Sequence, residues 1–151
     1  MTRLLLLSCV LLTATACTHF AVTTPPHFVE LRRQYEYDYR ATTPDGMVLG
    51  LRTIDNDEKG DLGFWSQAVE LRIRGMGGYA LLERKDLDGP EGLKGTSFQF
   101  GHDEGARPHL YRVVLFVTPK RIYLLEAGAA KDTFERYTAD VDGWLRSFQP
   151  K

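Results

Sequence analysis

The chain predicts an α+β fold: a layered α/β/α sandwich with a largely antiparallel six-stranded sheet and helices at about 62–76 and 132–148. Three observations predict it. Residues 35–42 alternate aromatic or small side chains with charged ones, the period of a half-buried strand. Two segments repeat apolar residues every three or four positions, the period of a helix. The remaining β-prone runs follow one another through turn-forming residues, which favours hairpins and an antiparallel sheet.

In the first strand Tyr35, Tyr37, Tyr39 and Ala41 share one face, and Glu36, Asp38 and Arg40 share the other. Pro44-Asp45-Gly46 forms the turn, Gly46 being free to take positive φ. Residues 47–54 are the return strand, and 55–60 a polar loop. The first helix places Leu62, Trp65, Ala68, Val69, Arg72, Ile73 and Met76 on one stripe. Asp61 is its expected N-cap, and Gly75, Gly77 and Gly78 stop it.

Residues 79–85 form the next strand, ahead of a loop with Asp88-Gly89-Pro90-Glu91-Gly92. Residues 95–100 follow with Thr96, Phe98 and Phe100 on one face, then a loop over 102–108. Residues 111–117 are dense in β-branched and aromatic side chains, hence central to the sheet. Thr118-Pro119-Lys120-Arg121 turns the chain into a strand over 122–127. In the second helix Asp132 is the expected N-cap and Glu135 its capping-box partner. Phe134, Tyr137, Val141, Leu145 and Phe148 form its stripe, flanked by Trp144, and Arg146 suits the C-terminal end.

The first 17 residues, MTRLLLLSCVLLTATAC, read as a secretory leader: Arg3, a short apolar run, then small residues. Small residues directly before Cys17 look like the lipobox of a bacterial lipoprotein precursor, although Ala14 stands where Leu is usual. Ordinary cleavage after Ala16 is the alternative. The expected organisation is a signal peptide at 1–16, a lipidated Cys17 with a flexible tether to 27, and one domain over 28–151. Cys9 and Cys17 are the only cysteines, so the body has no disulfide. Thr18 is not the Asp that retains some lipoproteins at the inner membrane, so the expected place is the outer membrane, facing the periplasm.

Charge and composition exclude other classes. Lys and Arg total 19 against 20 Asp and Glu, which argues against a strongly basic nucleic-acid binder. Arg32, Arg33, Arg72, Arg74 and Arg84 are dispersed and define no phosphate patch. At 43% hydrophobic and 26% charged residues, the chain has the balance of a folded domain.

Candidate sites are few. His102, Asp103 and Glu104, with His109 nearby, offer ligands for a divalent metal or groups for acid–base work. A solvated hairpin loop is the preferred explanation, because Gly101 and Gly105 flank a turn and residues 102 and 103 point apart if the strand continues. Asp55, Asp57, Glu58 and Asp61 lack the order of a calcium loop. Gly75-Met76-Gly77-Gly78 lacks the Lys-Ser/Thr ending of a phosphate loop. None of Ser66, Ser97 and Ser147 sits in a nucleophile elbow. No catalytic residue and no cofactor is therefore expected. Tyr35, Tyr37 and Tyr39 are either a recognition surface or the face packed beneath a helix. His19 and His27 are expected to be exposed near the tether.

The order of elements resembles the PsbP-like superfamily, which includes the photosystem extrinsic subunit, Mog-type Ran-binding proteins and DcrB-like bacterial lipoproteins. The resemblance is carried by Phe28 and Tyr35 through Pro44-Asp45-Gly46, by Phe64-Trp65, Gly78-Tyr79 and 95–100, then by 111–123 and the close from Trp144 to Phe148. It implies a binding or assembly protein without catalysis. The expected function is an anchored lipoprotein that binds or helps assemble another envelope protein or complex, held to the bilayer through Cys17. The alternative is a periplasmic domain for a small ligand or divalent metal, with a cleft between sheet and helix.

Overall fold

The computed structural model describes residues 18–32 and 36–151. The leader, Cys17 and Tyr35 lie outside them. The strands are β1 (Phe20–Ala21), β2 (Val29–Glu30), β3 (Tyr39–Thr42), β4 (Val48–Asp55), β5 (Tyr79–Asp88), β6 (Lys94–Glu104), β7 (Arg107–Val117), β8 (Arg121–Ala130) and β9 (Gln149–Pro150). The helices are α1 (Leu62–Gly75), α2 (Lys131–Arg136) and α3 (Thr138–Ser147). A seven-stranded sheet runs β2-β3-β4-β8-β7-β6-β5, every neighbour antiparallel.

The three-layer α+β class is as the sequence predicts. Alternation along β7 shows why the sheet needs cover on both sides. Val113 and Leu115 join the cluster of Phe98, Phe100 and Ile73 beneath α1. Val114 and Phe116 join the opposite cluster of Leu49, Leu51, Val141, Trp144 and Phe148 beneath α3. The Asp61 carboxylate caps α1 as expected, accepting from Phe64 N at 2.8 Å. The helix stops at Met76, and Gly77 and Gly78 follow at φ of 79° and 76°.

Four details differ. The sheet has seven strands rather than six, because two-residue β2 joins its edge and is too short to show a period. The loop expected over 102–108 is mostly ladder. β6 and β7 pair out to Glu104 and Arg107, and Gly105, at φ +62°, lets Gly105-Ala106 make the turn. The helix expected over 132–148 is divided at Tyr137, where the Thr138 hydroxyl donates to the Phe134 carbonyl at 3.1 Å and competes for the helix acceptor. Because β8 runs through Ala130, the helix starts at Lys131. Asp132 therefore falls inside its first turn, not at the cap, and Glu135 has no capping-box role.

The fourth difference is at the front. Residues expected as a flexible tether pack on the domain. Phe20 and Ala21 pair with Pro150 and Gln149, Phe20 and Pro25 are buried, and Thr23 N donates to Ser147 Oγ at 2.9 Å. Composition marks Thr and Pro as tether residues; it does not reveal that Phe20 has a core to enter.

Candidate functional site

α1 packs across β5, β6 and β7. The same sheet face continues beyond α1 onto β8 and β4. A cavity of about 380 Å³ forms at the boundary, lined by Tyr37, Arg52, Val69, Ile73, Tyr111 and Glu126, with Arg72, Met76 and Tyr79 completing the wall.

Its floor is a buried polar cluster. Glu126 is 6% exposed on a strand whose neighbours are apolar. A buried carboxylate needs a charged partner and hydrogen-bond donors. Arg52 Nε and Nη2 supply both, at 3.0 and 2.6 Å from its two oxygens. The Tyr111 hydroxyl donates to Glu126 Oε1, and Tyr37 lines the same cavity wall beside this carboxylate. Burial, then the Glu126 charge, pushes the Tyr111 phenol far above its ordinary value. The same causes raise Tyr37. Burial alone would lower Arg52, but the hydrogen bond and charge of Glu126 outweigh it and hold the guanidinium above its usual range.

Backbone shape seats Tyr37. A Cβ on Gly50 would lie 2.6 Å from Tyr37 Cε1, so the ring lies flat on the strand only because residue 50 is glycine. Arg40 and Arg52 lie 5.1 and 5.3 Å from the ring centroid.

The outer face of α1 also carries two large apolar side chains, with Gln67 and Arg74 exposed beside them. Phe64 and Leu71, two turns apart and thus on one side, are 57% and 61% exposed. Met76, at the cavity rim, is 65% exposed rather than part of the buried stripe the periodicity suggested. Ile73 and Ser66 take the inward positions, Ser66 donating to Thr96 Oγ1 at 3.0 Å. A second groove, of about 670 Å³, lies between β5–β6 and α3. Arg112 braces its floor, donating to Gln99 at 3.1 Å and to Asp142 at 2.8 Å.

The tyrosines expected on one face are on two. Tyr39 is buried, stacked on Trp144 at 5.9 Å between centroids. Tyr37 precedes the β3 ladder, which begins at Tyr39, and its ring turns to the α1 side. His102 and His109 face each other across β6 and β7, whereas Asp103 pairs with Pro108 one step along and so projects from the other face. His102 stacks on Tyr79 at 4.7 Å, its Nδ1 3.0 Å from the Gly78 carbonyl. His109 Nε2 is 3.4 Å from Glu104. Among the described residues no group of three or more His, Cys, Asp or Glu is placed to hold a metal.

Sequence reasoning missed Arg52, Tyr111 and Glu126. One signal was present: a lone carboxylate inside the apolar run 122–127, which demands a buried partner.

Neither a protein-family model nor a curated protein sequence matches this chain. Solved structures do match. LpqN, involved in cell envelope biogenesis of Mycobacterium tuberculosis, is 12% identical with a TM-score of 0.69, over 87% of this chain and 83% of that one. Cyanobacterial PsbP (CyanoP) from Synechocystis is 12% identical with a TM-score of 0.62, over 88% and 87%. The Saccharomyces cerevisiae Ran-binding protein Mog1p is 10% identical with a TM-score of 0.60, over 87% and 90%. At these identities the likeness is one of fold: the chain has the architecture common to PsbP-like and Mog1-like proteins, as the sequence resemblance implied.

Proposed function

We propose that this protein is a noncatalytic lipoprotein, anchored through acylated Cys17 in the outer membrane and facing the periplasm, that binds or helps assemble another envelope protein or complex. The observation that carries the reading is the outer surface of α1. Phe64 and Leu71 stand in solvent beside the Met76 rim of a cavity with a charged floor. Apolar anchors around a pocket with fixed polar groups are the anatomy of a protein-binding surface. Two proteins of this fold support it: Mog1p is Ran-binding, and LpqN is involved in cell envelope biogenesis. The lipobox-like end of the leader supports the anchor.

The test is in-cell crosslinking of the full-length protein, purification from the membrane fraction and mass spectrometry. One dominant envelope partner is expected, lost in a Phe64→Asp/Leu71→Asp variant that keeps its fold. A partner retained by that variant places binding elsewhere. The groove beside α3 favours a second reading, a periplasmic small-ligand domain, because 670 Å³ lies within the range of small-molecule sites. Ligand retained on native purification, and lost in Arg112→Ala, would support it.

A further inference from the structure

We propose that the domain lies close against the bilayer holding Cys17, with β1, β9 and the β7–β8 turn toward the phospholipid headgroups and the β6–β7 turn pointing away. The inference rests on the lipoprotein reading and adds the membrane-facing surface and the direction in which the binding face opens.

The carrying observation is how early the chain is captured. Only Thr18 and His19 separate Cys17 from β1. The His19 carbonyl already accepts from Lys151 N at 2.9 Å and from the Tyr123 hydroxyl at 3.2 Å. Phe20 is buried in the core beneath α3, and β1 is paired with β9. Three residues of extended chain reach about 10 Å. An acyl-bearing Cys17 therefore holds this end of the domain within that distance of the headgroups.

The contacts identify the surface. Pro119, Lys120 and Arg121 of the β7–β8 turn line one shallow depression with Pro150 and Lys151, directly beside the exit of the N-terminus. The 56–60 loop is joined to the same end, Asn56 N donating to the Lys120 carbonyl at 3.0 Å. Exposed Lys59, Lys120 and Lys151 are balanced there by exposed Asp57, Glu58 and Asp61, so charge does not drive the approach; the short connection does. The opposite end holds the Gly105-Ala106 turn. β7, of 11 residues, sets the two ends roughly 35 Å apart.

The orientation bears on binding. α1 begins beside the membrane-proximal 56–60 loop, and the turn that follows it reaches Gly78, whose carbonyl meets His102 near the distal turn. Its 14 residues rise about 21 Å. Phe64, in the first turn against Gly60, is thus the apolar anchor nearest the headgroups, and Leu71, Met76 and Tyr79 stand successively farther out, where a periplasmic partner reaches them.

The test uses full-length lipidated protein in phosphatidylethanolamine–phosphatidylglycerol vesicles carrying a headgroup quencher. Acylation leaves the mature body without a free thiol, so single fluorophores can be placed by Lys120→Cys and Ala106→Cys. Quenching severalfold stronger at position 120 than at 106 is expected. Ten Gly/Ser residues inserted after Cys17, reaching about 17 Å, should shrink that difference. Equal quenching at both positions in acylated protein overturns the orientation alone. Mass spectrometry showing no acyl chain on Cys17 overturns the lipoprotein reading and this inference with it.

Discussion

Arg52 grips the carboxylate of Glu126 through two hydrogen bonds, Nε at 3.0 Å and Nη2 at 2.6 Å, across 74 residues of sequence. The Glu126 side chain is buried, and the Arg52 side chain is 37% exposed. Arg52→Ala strands a buried charge and should cost about 3 kcal/mol. Arg52→Met combined with Glu126→Leu removes both charges and should recover most of that loss. Urea unfolding of the two variants checks it. Equal destabilisation would mean that the pair is not the source of the cost.

The same cluster makes stability pH-dependent. Tyr111 loses its proton near 10.0 in the unfolded chain and higher in the folded one. Below that value its contribution is complete. Above it the unfolded state releases a proton that the folded state keeps, so stability falls as pH rises. Burial raises Tyr37, Tyr39 and Tyr123 in the same direction. Unfolding free energies from about pH 9 to 11 should decline in the wild type, and less steeply in Tyr111→Phe. An identical slope in both would remove Tyr111 as a cause.

Gly50 is fixed by its neighbour rather than by a turn. Gly50→Val places atoms where the Tyr37 ring lies, and should cost about 1–3 kcal/mol by overpacking. Adding Tyr37→Ala should relieve the clash, so the double variant should lose less than the sum of the two single losses. Strict additivity in a double-mutant cycle would show that the two positions do not press on each other.

Trp144 stacks on Tyr39, and its indole Nε1 is buried without a hydrogen-bond partner among the described residues. Trp144→Ala should cost about 3–5 kcal/mol through the cavity it leaves. Trp144→Phe keeps an aromatic stack and removes an unpaired donor, so its cost should stay below about 1.5 kcal/mol. Thermal unfolding separates the two; a loss as large for Phe as for Ala would mean that the indole N–H is satisfied.

The layers were legible because each long element carries its own period. Phe98 and Phe100 alternate with Gln99, and Phe134, Val141 and Phe148 recur at helical spacing, so their faces follow from position alone. The division at Tyr137 was not legible, since it arises from the Thr138 hydroxyl competing for one carbonyl. β1 was hidden because two residues have no period and their partners lie at the other end of the chain. The site escaped for a related reason. Arg52 reads locally as a solvent-facing cation, and Tyr111 as a β-prone aromatic. Only the β4–β8 and β7–β8 registers bring them to Glu126. Tyr37 and Tyr39 were placed together because alternation assumes a continuous strand, whereas the ladder begins between them.

The most direct test of α1 as the binding face is a photocrosslinking residue at Leu71, compared in living cells with one at exposed Glu135 on α2. A single dominant envelope-protein adduct is expected from position 71. That adduct should be absent from position 135 and lost when Phe64→Asp is added to a protein that still folds. The same adducts from both positions, or none from position 71, would contradict α1 as the binding face.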